Sequence, residues 1–337
     1  MIYEASNVSA FRDFGDKYRF VRDQFVWLGI GITAMTTAAF VPYKKLKLIA
    51  LPLFIISLIF LVMVFIPGIG VEALGARRWV NIGSMRLQPS ELVKISVILY
   101  LSSWLASSEK RRFIAFILLS GLIAGLVILQ PDLGTSIIIM VVLIVTYFVS
   151  GSPLWHFVLL VPFAITSTFI LAITSPYRFQ RLTTFLNPNA DPLGASYHIR
   201  QILIAFGSGG FWGVGLGGSR QKYQYLPEAT TDSIFAIIGE EFGFLGASVF
   251  IILFTILLYR LYKVAKHAPD KHGFLLSSGI FTLFASQSLI NLGSMVAIFP
   301  LTGVPLPFIS YGGSSLVISL ICVGIALNIS KYSVQRN

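Results

Sequence analysis

Nine long, predominantly apolar stretches, at about 25–41, 48–66, 89–107, 113–129, 133–150, 154–174, 233–259, 273–299 and 308–329, leave this chain few ways to fold. A helix needs about 20 apolar residues to cross a hydrocarbon core. A chain that is 55% hydrophobic and 12% charged also lies far from the balance of a soluble domain. The expected fold class is therefore an all-α polytopic membrane protein, a single integral domain over residues 1–337 with nine transmembrane helices. Only Gln130, Pro131 and Asp132 part the stretches at 113–129 and 133–150, so a tight turn must join them. Three segments are too long to be turns, 1–24, 67–88 and above all 175–232, and long loops carry function more often than short ones.

Several function classes drop out on composition. Cys322 stands alone, inside an apolar stretch, which excludes an intramolecular disulfide. His156, His198, His267 and His272 show no metal-ligand spacing, which argues against a zinc or haem site. The net charge of +11 could serve nucleic acid, but the bases sit in short loops between apolar runs, where membrane orientation and anionic head groups explain them better. Chemistry is left to carboxylates, bases and hydroxyls.

The bases also orient the chain. Lys44, Lys45 and Lys47, then Lys110, Arg111 and Arg112, then Arg260, Lys263, Lys266 and Lys271, then Lys331 and Arg336 follow the first, third, seventh and ninth stretches. Only Glu109 and Asp270 offset them, so these loops are expected in the cytoplasm and the three long segments outside. Arg12, Lys17, Arg19 and Arg22 argue the other way for the N-terminus and are outvoted. No apolar stretch precedes residue 25, so no signal peptide is visible.

Carboxylates inside the apolar runs are the next constraint, because ionisable groups at membrane depth are costly and face protein or water. In "RRWVNIGSMRLQPSELVK", Pro89 starts a helix on which Glu91 and Lys94 share a face as an ion pair. That pair is either a substrate site or the means by which a helix carries charge below the head groups. Asp132 in "LQPDLGTS" reads as a helix cap. "FPLTGVPLPFISYGGSSLV", from Phe299, cannot be regular helix and is expected to shape a polar cavity wall. The 175–232 segment holds Arg178, Arg181, Arg200, Arg220 and Lys222 beside "GSGGFWGVGLGGSRQK", a combination suited to a phosphate or pyrophosphate. "HIRQILIAFGSGGFWG" before it reads as a short interfacial helix.

"YLPEATTDSIFAIIGEEFGF" supplies the last three carboxylates. On a helix, Asp232 and Glu240 differ by about 12 Å of depth and about 80° of rotation, so they cannot form one pair. Asp232 stands at the water boundary and can exchange protons, although it also reads as an N-cap; Glu240 and Glu241 lie deeper and need partners. One reactive carboxylate and two structural ones are expected.

These stretches together resemble the SEDS family (shape, elongation, division and sporulation), polytopic enzymes that polymerise lipid II into peptidoglycan glycan strands. The resemblance runs from about residue 4 to 331. It implies ten membrane helices with both ends in the cytoplasm, localisation in the bacterial cytoplasmic membrane, and an undecaprenyl-pyrophosphate-linked disaccharide as substrate. It also implies an essential aspartate in the large outer loop, here Asp232, a first-loop arginine and tryptophan, here Arg78 and Trp79, and a helix pair, here Glu91 and Lys94. "IIGEE" resembles the division and sporulation branch and "GVPLPFISYGG" the rod-shape branch; division or sporulation is favoured. Two departures stand out. Residues 4–24 resemble the loop that follows the family's first helix, so that helix is expected upstream of a misplaced start. The family pattern Pro-Glu-x-His-Thr-Asp has its histidine at Thr230 and an aromatic residue at Ser233.

The reaction so implied is glycosyl transfer outside the membrane. The acceptor's GlcNAc 4-hydroxyl attacks the anomeric carbon, undecaprenyl pyrophosphate leaves, and Asp232 takes the hydroxyl proton. Arg78, Arg86, Lys94, Arg200, Arg220 and Lys222 are candidates for stabilising the leaving group. No cofactor is called for, and a divalent cation is left open. The resemblance implies one partner, a single-span class B penicillin-binding transpeptidase. A lipid II flippase and a non-catalytic scaffold for that transpeptidase are the rival readings.

Overall fold

The computed structural model describes residues 1–73, 76–83, 85–107, 112–187, 194, 196–223 and 225–334; of the bases and acids used for orientation, Glu109, Lys110, Arg111 and Arg336 lie outside them. The elements in order are α1 (Ile2–Phe14), α2 (Arg19–Phe40), a 3₁₀ turn (Tyr43–Lys45), α3 (Leu46–Met63), β1 (Gly70–Ala73), β2 (Ala76–Ile82), β3 (Met85–Leu87), α4 (Pro89–Ala106), α5 (Phe113–Leu129), α6 (Leu133–Val149), α7 (Leu154–Thr174), α8 (Pro176–Leu186), α9 (Tyr197–Gly209), α10 (Ile234–Lys266), α11 (Lys271–Met295) and α12 (Gly313–Val334). A helix lies on each of the nine apolar stretches. Among the described residues, five spans are long and apolar enough to cross a membrane, Tyr43–Met63, Leu154–Thr174, Ile234–Lys266, Lys271–Met295 and Gly313–Ser333; α5 and α6 are shorter apolar helices.

The all-helical expectation needs one correction. β1, β2 and β3 form a three-stranded antiparallel sheet in the order β1-β2-β3, with Val80 opposite Gly70 and Leu87. Alternation explains it: Ala76 and Val80 are buried while Arg77 and Asn81 are exposed, the period-two pattern of a half-covered strand. The N-terminal segment also carries more order than a loop, because α1 ends at Gly15 in a left-handed cap (φ 69°) whose N–H returns to Phe11 O. In the 175–232 segment the short helix expected near "HIRQILIAF" is present as α9, and α8 precedes it.

The chain divides into two compact units. One comprises Met1–Val26, Ile165–Leu257 and Gln287–Gly312; the other comprises Trp27–Ala164, Leu258–Ser286 and Gly313–Asn337. The first is built on Ile202, Leu226, Ile234, Phe235, Ile237 and Leu306. In the second, α4 is the central helix, packed on α3, α6 and α12, with Val93, Val97, Leu101, Ile139 and Leu143 in its core.

One feature of the first unit was not foreseen. Gly243 has φ 64° and ψ −163°, so α10 is broken there. A break frees backbone groups that lipid cannot satisfy, and the segment after α9 satisfies them: Val214 N–H donates to Glu240 O (3.0 Å), Gly215 N–H to Glu241 O (3.0 Å), and Phe244 N–H to Gly210 O (2.9 Å). The approach is so close that a Cβ on Gly213 would meet Glu241 O at 2.2 Å. The glycine-rich "GSGGFWGVGLGG" piece therefore makes close backbone contact with α10. Gly213 and Gly215 both have positive φ, 85° and 91°, but nothing stands within 4 Å of a Cβ on Gly215. Gly215→Ala should cost only the strain, about 1–3 kcal/mol, whereas Gly213→Ala should cost more and lower folded yield further. Equal thermal shifts for the two variants would show that the close approach contributes nothing.

Candidate functional site

The turn 228–233 delivers Asp232 to the mouth of α10, and neighbouring elements of the first unit fix it by the backbone. Asn291 Nδ2, on α11, donates to Asp232 O (2.8 Å) and also sits 2.7 Å from Val304 O. Ser310 Oγ donates to Thr231 O (2.5 Å), and Tyr311 N–H donates to Thr230 O (2.9 Å). The run after Phe299 is non-helical as its Pro, Gly and Ser content suggested, over residues 296–312, and through Ser310 and Tyr311 it also braces the carboxylate turn. Asp232 itself precedes the helix start at Ile234, and its Oδ1 accepts from Thr231 Oγ1 (3.2 Å).

Asp232 is buried, 7% exposed. Burial raises its carboxyl to about 7, Glu228 adds to the rise, and the Arg181 guanidinium opposes it. A carboxyl poised near neutrality is what proton transfer at ordinary pH requires. Arg181, on α8, donates to Leu301 O (2.9 Å). A Cβ on Gly303 would stand 3.8 Å from Asp232 Oδ2 and 3.9 Å from Arg181 Nη1, so both groups flank this glycine. Arg181 also lines a cavity of about 180 Å³ with Gln180, Thr184, His198 and Leu301. His198 Nε2 lies 2.7 Å from Ser233 Oγ, and burial, aided by the Arg181 charge, lowers this imidazole to about 4, so it is neutral at pH 7.

The other two carboxylates of α10 have structural partners. Glu240 accepts from Ser219 Oγ (2.5 Å), Ser208 Oγ (3.3 Å), Arg220 N–H (3.1 Å) and Gln221 N–H (3.3 Å), which ties the 219–221 turn to the helix. Glu241 meets Lys222 Nζ at 3.4 Å; the same ammonium meets Glu4 at 3.1 Å and Gly217 O at 2.7 Å. Its carboxylate partners hold Lys222 above the usual lysine range against the opposing pull of burial. Lys222, a candidate for substrate contact, links α1, the glycine-rich segment and α10 through these bonds. Arg220 is exposed and Arg200, on α9, is half-buried.

In the second unit, Arg78 lies on the strand face shared by the buried Ala76 and Val80, and its guanidinium donates to Gln130 O (3.1 Å) and Pro131 O. Arg78 therefore clamps the α5–α6 turn. Asp132 in that turn caps α6, accepting from Thr135 N–H at 3.1 Å. Trp79 is half-buried and Arg86 is exposed. Lys94 Nζ lies 2.7 Å from Glu91 Oε1 with side-chain exposures of 2% and 3%. The pair forms as expected, and its side chains are almost wholly enclosed in the α4 core. Among the described residues no group of three or more His, Cys, Asp or Glu could hold a metal ion.

Sequence reasoning passed over His198, set aside with the non-ligating histidines, and named Arg181 only as one of several cations. Their sole signal was position, in the segment that also carries Asp232. Which basic residue approaches a given carboxylate depends on where α8 and α9 fold back, and spacing does not encode that.

Comparison with known proteins follows the same lines. The sequence profile FTSW_RODA_SPOVE, described as "Cell cycle protein", matches residues 1–335. The chain is 42% identical to stage V sporulation protein E of Bacillus subtilis, over 99% of this chain and 93% of that protein. It is 40% identical to the probable peptidoglycan glycosyltransferase FtsW of Trichlorobacter lovleyi, over 98% and 88%. Among solved structures, a chain from "Structural coordination of polymerization and crosslinking by a peptidoglycan synthase complex" superposes with a TM-score of 0.79 at 29% identity, covering 99% of this chain and 97% of its own. The rod shape determining protein RodA of Thermus thermophilus gives 0.69 at 28% identity, covering 98% and 93%.

Proposed function

Because the chain belongs to the FtsW, RodA and SpoVE family, we propose that it is a peptidoglycan glycosyltransferase that polymerises lipid II at the outer face of the bacterial cytoplasmic membrane, in division, sporulation or elongation. The observation that carries the chemistry is Asp232, a buried carboxyl held near neutrality beside Arg181 at the mouth of α10. Asp232 takes the proton of the acceptor's 4-hydroxyl as that oxygen attacks the anomeric carbon of the lipid-linked chain. Negative charge gathers on the departing undecaprenyl pyrophosphate, and fixed cations offset it. Arg181 joins Arg78, Trp79, Arg86, Arg200 and Arg220 as candidates for substrate contact, while Glu91, Lys94 and Lys222 support the scaffold. The nine helices on the apolar stretches all cross the bilayer, with 175–232 as the large outer loop. A single-span class B penicillin-binding transpeptidase is the partner that cross-links the product.

Purified protein supplied with lipid II should form glycan strands, resolved by gel electrophoresis; a flippase or a scaffold would leave lipid II monomeric. The pH dependence gives a second check. Asp232 works only when ionised, so kcat/KM should fall about tenfold per unit below its folded pKa of about 7 and level off above it. Removing the neighbouring negative charge with Glu228→Gln should move that midpoint down, and removing the positive one with Arg181→Gln should move it up. A flat profile between pH 5 and 8 would exclude Asp232 as the titrating base.

A further inference from the structure

The second unit holds a cavity that the chemistry above does not use. It has a volume of about 690 Å³ and lies where the C-terminal ends of α4 and α6 meet the N-terminal ends of α5, α7 and α11. This is the end of α5 and α6 away from the Asp132 turn, and with 175–232 outside it meets the inner leaflet. Its described lining includes two bases, Arg112 and Lys271, and no aspartate or glutamate. Helix stability argues against both placements. Arg112 is the N-cap of α5 and Lys271 the first residue of α11, where a positive charge opposes the helix dipole. Orientation in the membrane calls for bases in a loop, but not on the wall of a cavity. Two such bases around one space favour an anion between them.

His156, on α7, points the same way. It is 7% exposed, lines the cavity and stacks on Phe113 with ring centroids 3.9 Å apart. Its Nδ1 lies 2.9 Å from the Tyr147 hydroxyl oxygen, while Nε2 has no hydrogen-bond partner among the described residues. With the tyrosine donating to Nδ1, the ring proton sits on Nε2 and a buried donor is left over. Buried donors are normally satisfied, and an anionic oxygen in the cavity would satisfy this one.

The remaining walls decide what kind of anion fits. Ile114 and Trp155 line the cavity and are 72% and 57% exposed, and Leu118 and Val158, about one turn further along α5 and α7, are 69% and 71% exposed. The walls therefore continue into apolar helix faces suited to acyl chains, and tryptophan is a residue of the head group boundary. A free phosphate would gain nothing from them. We infer that this cavity binds an anionic phospholipid of the inner leaflet, its phosphate beside Lys271 and His156 and its acyl chains along Ile114 and Trp155. The inference goes beyond the glycosyltransferase reading and does not depend on it.

The test uses the purified full chain, stripped of lipid in neutral detergent and titrated with phosphatidylglycerol, phosphatidylcholine or inorganic phosphate. Binding is read by native mass spectrometry and by the rise in melting temperature. Wild type should bind phosphatidylglycerol more tightly than phosphatidylcholine and respond little to phosphate. Lys271 is exposed, so Lys271→Gln should fold, and it should bind phosphatidylglycerol about fivefold more weakly than Lys266→Gln does. Lys266 is an exposed base of α10 outside the cavity lining, so the two variants share one net charge and their difference reads the site rather than the surface. Lys271→Arg should bind as wild type does. Equal affinity of Lys271→Gln and Lys266→Gln overturns the inference, as does equal affinity of wild type for the two lipids. A rise in melting temperature with inorganic phosphate equal to that with phosphatidylglycerol would make the occupant a free anion and remove the lipid.

Discussion

Asp232→Asn is expected to insert and fold as wild type does and yet to lose about 10² to 10⁴ in polymerisation rate, the contribution of a positioned general base. The stability half of this expectation follows from burial. Asp232 is 7% exposed and its folded pKa of about 7 lies above the ordinary 3.8, so between those values the folded state holds a proton that the unfolded chain has released. Stability from this group is fully present below pH 3.8 and declines as pH rises through the window up to about 7. Asparagine carries no such penalty. The variant should therefore match wild type near pH 4 and exceed it in melting temperature at pH 8, while its catalytic defect is largest above pH 7 and narrows as pH falls, because protonation disables the wild-type base as well. Thr231 Oγ1 can still donate to the amide oxygen that replaces Oδ1, so the local geometry survives.

Glu240→Gln provides the contrast. That carboxylate accepts from two hydroxyls and two backbone amides, and charge-assisted bonds to amides are about twice as strong as neutral ones. Weakening them should loosen the 219–221 turn and lower folded yield, with the surviving folded protein keeping most of its specific activity. A well-folded Asp232→Asn protein that makes strands at near wild-type rate would remove the general-base assignment and send the search to Glu91 and Asp132.

Helices on the nine apolar stretches were legible because a long apolar run has few other structural meanings, and among the described residues five are long and apolar enough to cross a membrane. The Glu91–Lys94 pair and the Asp132 cap were legible because each depends on residues three apart on one helix. The sheet at 70–87 was missed because its strands are short and rich in arginine, and their hydrophobic alternation involves only Ala76 and Val80. The contact made by the glycine-rich segment was not legible for a more instructive reason. Glycines signal that a backbone must come close to something, but the sequence does not say to what; here Gly213 comes close to the broken backbone of α10. The ion pairs of Lys222 met the same limit, because its partners Glu4 and Glu241 are remote in sequence from each other.

Lys94→Ala should be the most destabilising single change in α4. Its ammonium lies 2.7 Å from Glu91 Oε1, both side chains are almost wholly enclosed, and α4 packs against α3, α6 and α12. Truncating the lysine leaves a carboxylate without its counter-charge in a dry interior, a loss that costs about 3–5 kcal/mol when one partner of a buried pair is removed. The expected result is a sharp fall in monodisperse yield and melting temperature. Adding Glu91→Gln should recover much of it, because a neutral amide needs hydrogen bonds but no counter-charge, and replacing a whole buried pair is often close to neutral. Function then separates from folding. If the double variant regains both stability and lipid II polymerisation, the pair serves only to let a central helix carry charge at depth; if it regains stability alone, the pair also sets the position of α4 for catalysis. Lys94→Ala with a wild-type melting temperature would show that the carboxylate finds another partner or a proton, and that the ion pair contributes nothing to the fold.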